Sequence, residues 1–477
     1  MSHGITHTTA RGVSLPPLRP GPHQRRLDLI AVVATFGGLL FGYDTGVLNG
    51  ALEPMKHDLG LTSFTEGLIG AVLLVGAAIG ALACGRMNDR IGRKKTLTIL
   101  AVVFFIGTFG AVLAPNLEVM LPARFVLGLA VGGASVTVPV YLAELAPTER
   151  RGALSGRNEL VIVFGQLLAF VVNAVIANMW GDHEGVWRYM LAVCAIPAIV
   201  LFFGMLRMPE SPRWLISKGR HDDALTVLKQ VRTEDRARAE MAEVEHLAEE
   251  EKEAQTGGLV DLAVPWVRRL LIAAVGLAIA QQCTGINSVL YYGQQLLITA
   301  GFDPNTALIV NAAVPGVLGV VGSIICLWVL IDRVPRRTLI ISGFVATTIC
   351  HGLIVCAAWL LPEGTAKAYL ILAIIGLFVF SMQMMLNVPV WVCLSEMFPL
   401  RMRGFGMGVA VLMLWMTNAV LTYGFPIMLS ITGLTGSYLV FFVLGLLCIG
   451  FLWKMLPNTS GRSLEELEEA FAKGEFH

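Results

Sequence analysis

Two ionisable residues interrupt long apolar runs: Asp44 in FGGLLFGYDTGVLNG (36–50) and Arg124 in LPARFVLGLAVGG (121–133). At a bilayer centre each costs about 2.5–3.5 kcal/mol on insertion scales, so such residues are functional by default. Burial favours the protonated acid, whereas an approaching guanidinium favours the carboxylate. A separation that alternates between two conformations makes Asp44 take and give a proton. The competing reading is a static structural ion pair. A second set is neutral: Gln166 in FGQLLAF, Gln281, Gln282 and Asn287 in QQCTGIN, and Tyr291 one turn further on. Gln383, Asn387, Trp391 and Trp415 complete it. Amides donate to and accept from hydroxyls with no charge to desolvate, and indoles offer flat apolar faces. Singly, a buried Gln is interhelical hydrogen bonding and a buried Trp is packing. Together they suit a neutral polyhydroxylated solute. Adjacent residues on an ideal helix point about 100° apart, so Gln281, Gln282 and Asn287 converge only across a break. The expected place is Thr284–Gly285, and broken helices are tolerated where they line a cavity.

The elements that must hold these residues are membrane spans. The chain has 477 residues, 55% hydrophobic and 14% charged, with a mean hydropathy of +0.70. That is too apolar for a water-soluble protein of this size. Fifty glycines suit closely packed membrane helices. With 35 basic against 34 acidic residues, nothing points to nucleic acid. The eight cysteines show neither CxxC nor metal-ligand spacing and read as small buried residues. No nucleophile–base pair, metal cluster or nucleotide loop points to an enzyme, and no cofactor is expected. HD at 57–58 reads as an outer-loop solubility feature.

Windows of about 20 apolar residues predict twelve spans. Six fall near 27–50, 66–85, 96–114, 119–143, 158–178 and 187–207; six more fall near 267–299, 306–331, 338–361, 367–394, 404–430 and 434–456. Lys and Arg crowd one set of connections (Arg86, Arg90, Arg93, Lys94, Lys95, Arg150, Arg151, Arg157, Arg333, Arg336, Arg337, Arg401, Arg403), and the other set holds only Lys56 and Lys367. The positive-inside rule then makes both termini cytosolic. Asp44 lies about 26 Å along a helix entering from the cytosol, and Arg124 within two turns of one entering from outside. Both fall in the outer half of the bilayer. The expected order is a cytosolic tail (1–26), a six-helix bundle (27–207), a cytosolic helical linker (208–266), a second six-helix bundle (267–456) and a cytosolic tail (457–477). The segment RTEDRARAEMAEVEHLAEEEKEAQ is expected as a solvated, exposed helix, and SLEELEEAFAKG as a short amphipathic one.

The halves are duplicates. GRMNDRIGRKK (85–95) returns as LIDRVPRR (330–337), with Asp89 and Asp332 243 residues apart; YLAELAPTERRG (141–152) returns as CLSEMFPLRMRG (393–404). The same offset lays Asp44 over Asn287, so one copy carries an acid where the other carries an amide. These blocks, with PESPRWL, QQCTGIN…YY and PNTSGRSLEEL in order, resemble the sugar porter branch of the major facilitator superfamily over essentially the whole chain. They look most like its bacterial myo-inositol and hexose:proton symporters. Pro335, Asn458 and Leu414 depart from the pattern, and the eighth span lacks an asparagine that several sugar-binding relatives use. The resemblance implies an all-α carrier of two six-helix bundles. It also implies proton-coupled import of a neutral sugar or polyol by alternating access, and substrate binding by the amides and tryptophans above. Symporters of this branch carry aspartate where uniporters commonly carry a neutral residue, so a facilitative uniporter is the alternative. Charges of the duplicated motifs are expected to latch the inner face: Asp89, Arg90, Arg93, Glu144, Arg151, Glu210 and Arg213 in the first half, Asp332, Arg333, Glu396 and Arg403 in the second. The partners expected are the solute, the proton and the bilayer of the cell membrane, with the chain acting as a monomer.

Overall fold

The computed structural model describes residues 7–8, 14–18, 21–181, 183–242, 264–331, 333–398 and 400–457. Eleven helices among them are long and apolar enough to cross a membrane. The last, Leu400–Met455, has 56 residues; straight, it would run about 84 Å, against a hydrocarbon core of about 30 Å. Gly433 (φ 63°, ψ −168°) breaks it, giving an eleventh and a twelfth span. The others are Pro22–Leu59, Ser63–Ile91, Arg93–Val112, Leu117–Leu145, Arg151–Trp180, Val186–Leu206, Pro265–Thr299, Pro304–Leu330, Arg336–Leu360 and Thr365–Leu394. Twelve spans thus form two six-helix halves. The first begins at Pro22, inside the stretch expected as tail, because proline suits the first helical turn. Upstream, His7–Thr8 and Ser14–Leu15 pair antiparallel.

Glycine sets the packing distances. A Cβ on Gly42 would lie 1.9 Å from the Ile162 carbonyl oxygen, and one on Gly132 1.9 Å from that of Ala77. The first span therefore rests backbone-to-backbone on the fifth, and the second on the fourth, as dispersion-driven association in lipid requires. Several spans are irregular. The eighth and tenth contain π-turns at Ala312–Gly316 and Gln383–Asn387, the first with Pro315 inside it and the second shortly before Pro389, whose missing N–H groups disturb the helical ladder.

Between the halves, helices Pro212–Ser217 and His221–Val231 lie at the arginine-rich end of the bundle. The exposed connector expected beyond them needs correcting. Arg232 and Arg236 are buried and share Glu240; Arg232 also donates to the Leu145 carbonyl (2.9 Å), and Arg236 pairs with Glu149 (3.0 Å) and donates to the Pro16 carbonyl (2.7 Å). Burial pulls the Arg232 guanidinium below its usual range, against the raising effect of Glu240. An ion-pair cluster thus ties this helix to the end of the fourth span. The rest of the connector, residues 243–263, and the tail from 458 lie outside the described residues.

Candidate functional site

The first and fourth spans bring the two intramembrane charges together. Arg124 Nη1 donates to Asp44 Oδ1 at 2.9 Å, and both side chains are almost wholly buried. Among the described residues Asp44 Oδ2 and Arg124 Nε and Nη2 find no hydrogen-bond partner. The pair is therefore one contact deep, and its members retain capacity for water, a proton or a ligand hydroxyl. Tyr291 reaches across from the second half, with its hydroxyl towards Thr45 and within the field of Asp44.

The seventh span is broken twice. Its first piece ends at Cys283, Thr284 turns, Gly285 adopts φ 71°, and a new helix starts at Ile286. A left-handed residue is natural only for glycine, and a Cβ there would also meet the Phe441 ring at 2.8 Å. Across this break Asn287 donates to Gln282 Oε1 at 2.8 Å, so two of the expected amides meet. The second break was not anticipated. Tyr292 leaves the helical region (φ −124°, ψ 19°), which frees backbone groups on both sides. Asn49 of the first span takes them up: Nδ2 donates to the carbonyls of Val289 (2.9 Å) and Leu290 (3.0 Å), and Oδ1 accepts from Gln294 N–H (3.0 Å).

The other expected substrate residues lie on the fifth, tenth and eleventh spans. Gln166 is buried, with its backbone against Gly46 of the first span. Gln383, buried, opens the tenth span's π-turn, while Asn387 and Trp391 are half-buried. Trp415 is buried against Phe41 (ring centroids 5.5 Å). Gln281 Oε1, Gln383 Oε1 and Trp415 Nε1 are buried without partners among the described residues, the kind of capacity that a solute's hydroxyls would satisfy. A separate cavity of about 540 Å³ between the fifth and eighth spans is lined almost entirely by apolar residues and holds none of these groups.

Away from the arginine-rich end, the halves close on each other. A Cβ on Gly67 would lie 2.2 Å from the Tyr423 carbonyl oxygen, one on Gly70 would lie 2.7 Å from the Thr422 side chain and 3.1 Å from the Tyr292 hydroxyl, and buried Glu66, paired with Lys56 (2.9 Å), accepts from Gln295 of the second half (3.3 Å). Asp58, read from sequence as a solubility residue, instead accepts from Gly185 N–H (2.8 Å) and Trp187 Nε1 (2.7 Å), tying the first span to the sixth.

At the arginine-rich end Glu144 pairs with Arg93 (2.9 Å), accepts from Ser211 and feels the Arg213 charge. Glu210 accepts from the N–H groups of Arg93 (2.9 Å) and Lys94 (3.0 Å), capping the third span where its N-terminal donors are otherwise free. Asp89 lies 3.4 Å from Arg93, and Arg90 is exposed. In the second half Glu396 pairs with Arg336 at 3.6 Å, and Arg333 is exposed. Arg336 stands 243 residues after Arg93, so the duplicate repeats the ion pair, on an arginine expected from sequence only as a mark of the cytosolic side. Asp332 and the side chains of Arg151 and Arg403 lie outside the described residues.

Twelve apolar spans in two duplicated halves, with polar residues buried among them, are the architecture of a multi-pass membrane carrier. Residues 30–471 match the family described as Sugar (and other) transporter, and the chain belongs to that family. It is 49% identical over 455 residues to "Major myo-inositol transporter IolT" of Bacillus subtilis (strain 168), covering 95% of this chain and 96% of that one. It resembles a solved structure of the proton:xylose symporter XylE bound to 6-bromo-6-deoxy-D-glucose (TM-score 0.78, 31% identity, 94% of this chain and 99% of that one). It also resembles XylE from E. coli in a partially occluded inward open conformation (TM-score 0.79, 29% identity, 91% of this chain and 100% of that one).

Proposed function

We propose that this carrier imports a neutral polyol or monosaccharide, myo-inositol before others, together with a proton, by alternating access across the cell membrane. The observation that carries the reading is the buried Asp44–Arg124 pair, held by one hydrogen bond with the rest of both groups unpartnered. Such a carboxylate changes protonation when the guanidinium recedes or water arrives. The amides at the seam and the unpartnered atoms of Gln281, Gln383 and Trp415 favour hydroxyls over an anion, because Asp44 already occupies the cation. The relative described as a myo-inositol transporter supports the choice of polyol, and the likeness to a proton:xylose symporter supports the coupling. The arginine-rich end is then cytosolic. A proton moving down 100 mV supplies about 2.3 kcal/mol, enough for about 50-fold accumulation of a neutral solute. In proteoliposomes Asp44→Asn should abolish uphill myo-inositol uptake while sparing counterflow; undiminished accumulation would reject the coupling. The alternative, a facilitative uniporter, predicts that a protonophore leaves the final level unchanged.

A further inference from the structure

The fifth span carries an acid of its own, outside the Asp44–Arg124 pair. Glu159 is half-buried, with Asn158 beside its carboxyl. Contacts define two edges of that span. Asn158 and Ile162 pack on Gly38, and Ala169 on Gly46, which marks the edge against the first span. Val163 packs on Gly319, Leu167 and Phe170 on Gly316, and Leu327 on Gly156, which marks the edge against the eighth. At about 100° per residue, Glu159 projects about 60° from Ile162 and about 40° from Val163, between the two edges. It therefore faces the seam between the halves rather than lipid, on nearly the same line as Gln166 two turns away.

The same contacts give the height. Gly42 meets Ile162 and Gly46 meets Gln166, so Asp44 is level with residue 164 and Glu159 sits about 8 Å nearer the arginine-rich end. On the eighth span that level is Ser323, whose buried hydroxyl has no partner among the described residues. The surrounding charges are engaged elsewhere. Arg157 pairs with Asp28 (2.9 Å), as does Arg150 (3.7 Å); Arg124 holds Asp44, and Glu144 holds Arg93. The eighth span offers no acid or base between Pro304 and Leu330. Among the described residues no cation pairs with Glu159. Asp44 is thus an acid paired with Arg124, and Glu159 is one without a counter-ion among the described residues.

We propose that Glu159 is a second proton-binding carboxyl of the transport path, exchanging its proton on the arginine-rich side of the seam while Asp44 serves the other side. The step is a simple protonation: the carboxylate takes one proton and returns it, with no other bond made or broken. A dry seam favours the neutral acid and a wetted one the ion, so opening and closing of that end changes its occupancy. An acid inside a span with no counter-ion is otherwise difficult to sustain. This rests on the proton-coupled reading above.

Calorimetry of myo-inositol binding to the purified full chain in two buffers of different ionisation enthalpy yields the protons exchanged per solute bound. Asp44→Asn should retain a measurable proton exchange, Glu159→Gln should lose part of the unaltered value, and the double variant should exchange none. If Glu159→Gln binds with the unaltered proton count, or Asp44→Asn alone abolishes exchange, the proposal is overturned. Should Glu159→Gln fail to bind, Glu159→Asp must bind and exchange protons, and its failure also overturns the proposal. Binding by the unaltered chain without any proton exchange would withdraw the coupled reading and this proposal together. No binding of myo-inositol, D-xylose or D-glucose would withdraw the substrate reading instead.

Discussion

Replacing Asn49 with leucine tests whether the seventh span is held shut from the first half. Leucine keeps the volume but removes two donors and one acceptor, leaving the carbonyls of Val289 and Leu290 and the N–H of Gln294 to find new partners. Hydrogen bonds measured inside membrane bundles average about 0.6 kcal/mol; three give about 2 kcal/mol, below the cost of leaving buried groups wholly unpaired. In this structure these bonds join the halves with the end away from the arginines closed; provided that opening that end breaks them, their loss should shift the equilibrium towards the open state by about 30-fold. Spin labels on the exposed positions Glu184 and Asn305, one per half at that end, would read it, in a background free of accessible native cysteines. The short-distance population should shrink in favour of a longer one, and counterflow should slow as closure becomes limiting. An unchanged distance distribution in a folded Asn49→Leu carrier would refute the reasoning, since the bonds would then exist equally in both states.

At the opposite end Glu144→Gln should open the arginine-rich face more than Glu396→Gln. Glu144 is largely enclosed and holds Arg93 and Ser211, whereas the Arg336–Glu396 pair is longer and more exposed, a setting worth at most about 1 kcal/mol. Protease or thiol accessibility at that end gives the order, and the reverse order would count against the latch. Gly285→Ala places a side chain at φ 71° against Phe441, a left-handed strain of about 1–2 kcal/mol before the steric contact is added. Myo-inositol affinity should fall about tenfold or more, with partial recovery in Gly285→Ala combined with Phe441→Leu; wild-type affinity in the single variant would show that the break does not shape the site.

Much of this molecule was legible in its sequence for reasons rooted in the solvent. Lipid demands about 20 apolar residues per span and penalises every charge, so the spans, the duplication and the isolation of Asp44 and Arg124 stand out without coordinates. The break at Thr284–Gly285 followed from the need to turn adjacent amides to one side, and Gly285 supplies the backbone freedom. Other features depended on which surfaces meet. Asn49 reads as one more polar residue on a glycine-rich helix; only the second kink, at Tyr292, gives it three backbone groups to satisfy. Asp58 looked like loop polarity until the sixth span brought Gly185 and Trp187 to it. Arg336 was available from the repeat offset, but its use as the partner of Glu396 depended on how the ninth and tenth spans pack. A linear chain shows which groups are costly to bury; which neighbours offset that cost is a property of the packed bundle alone.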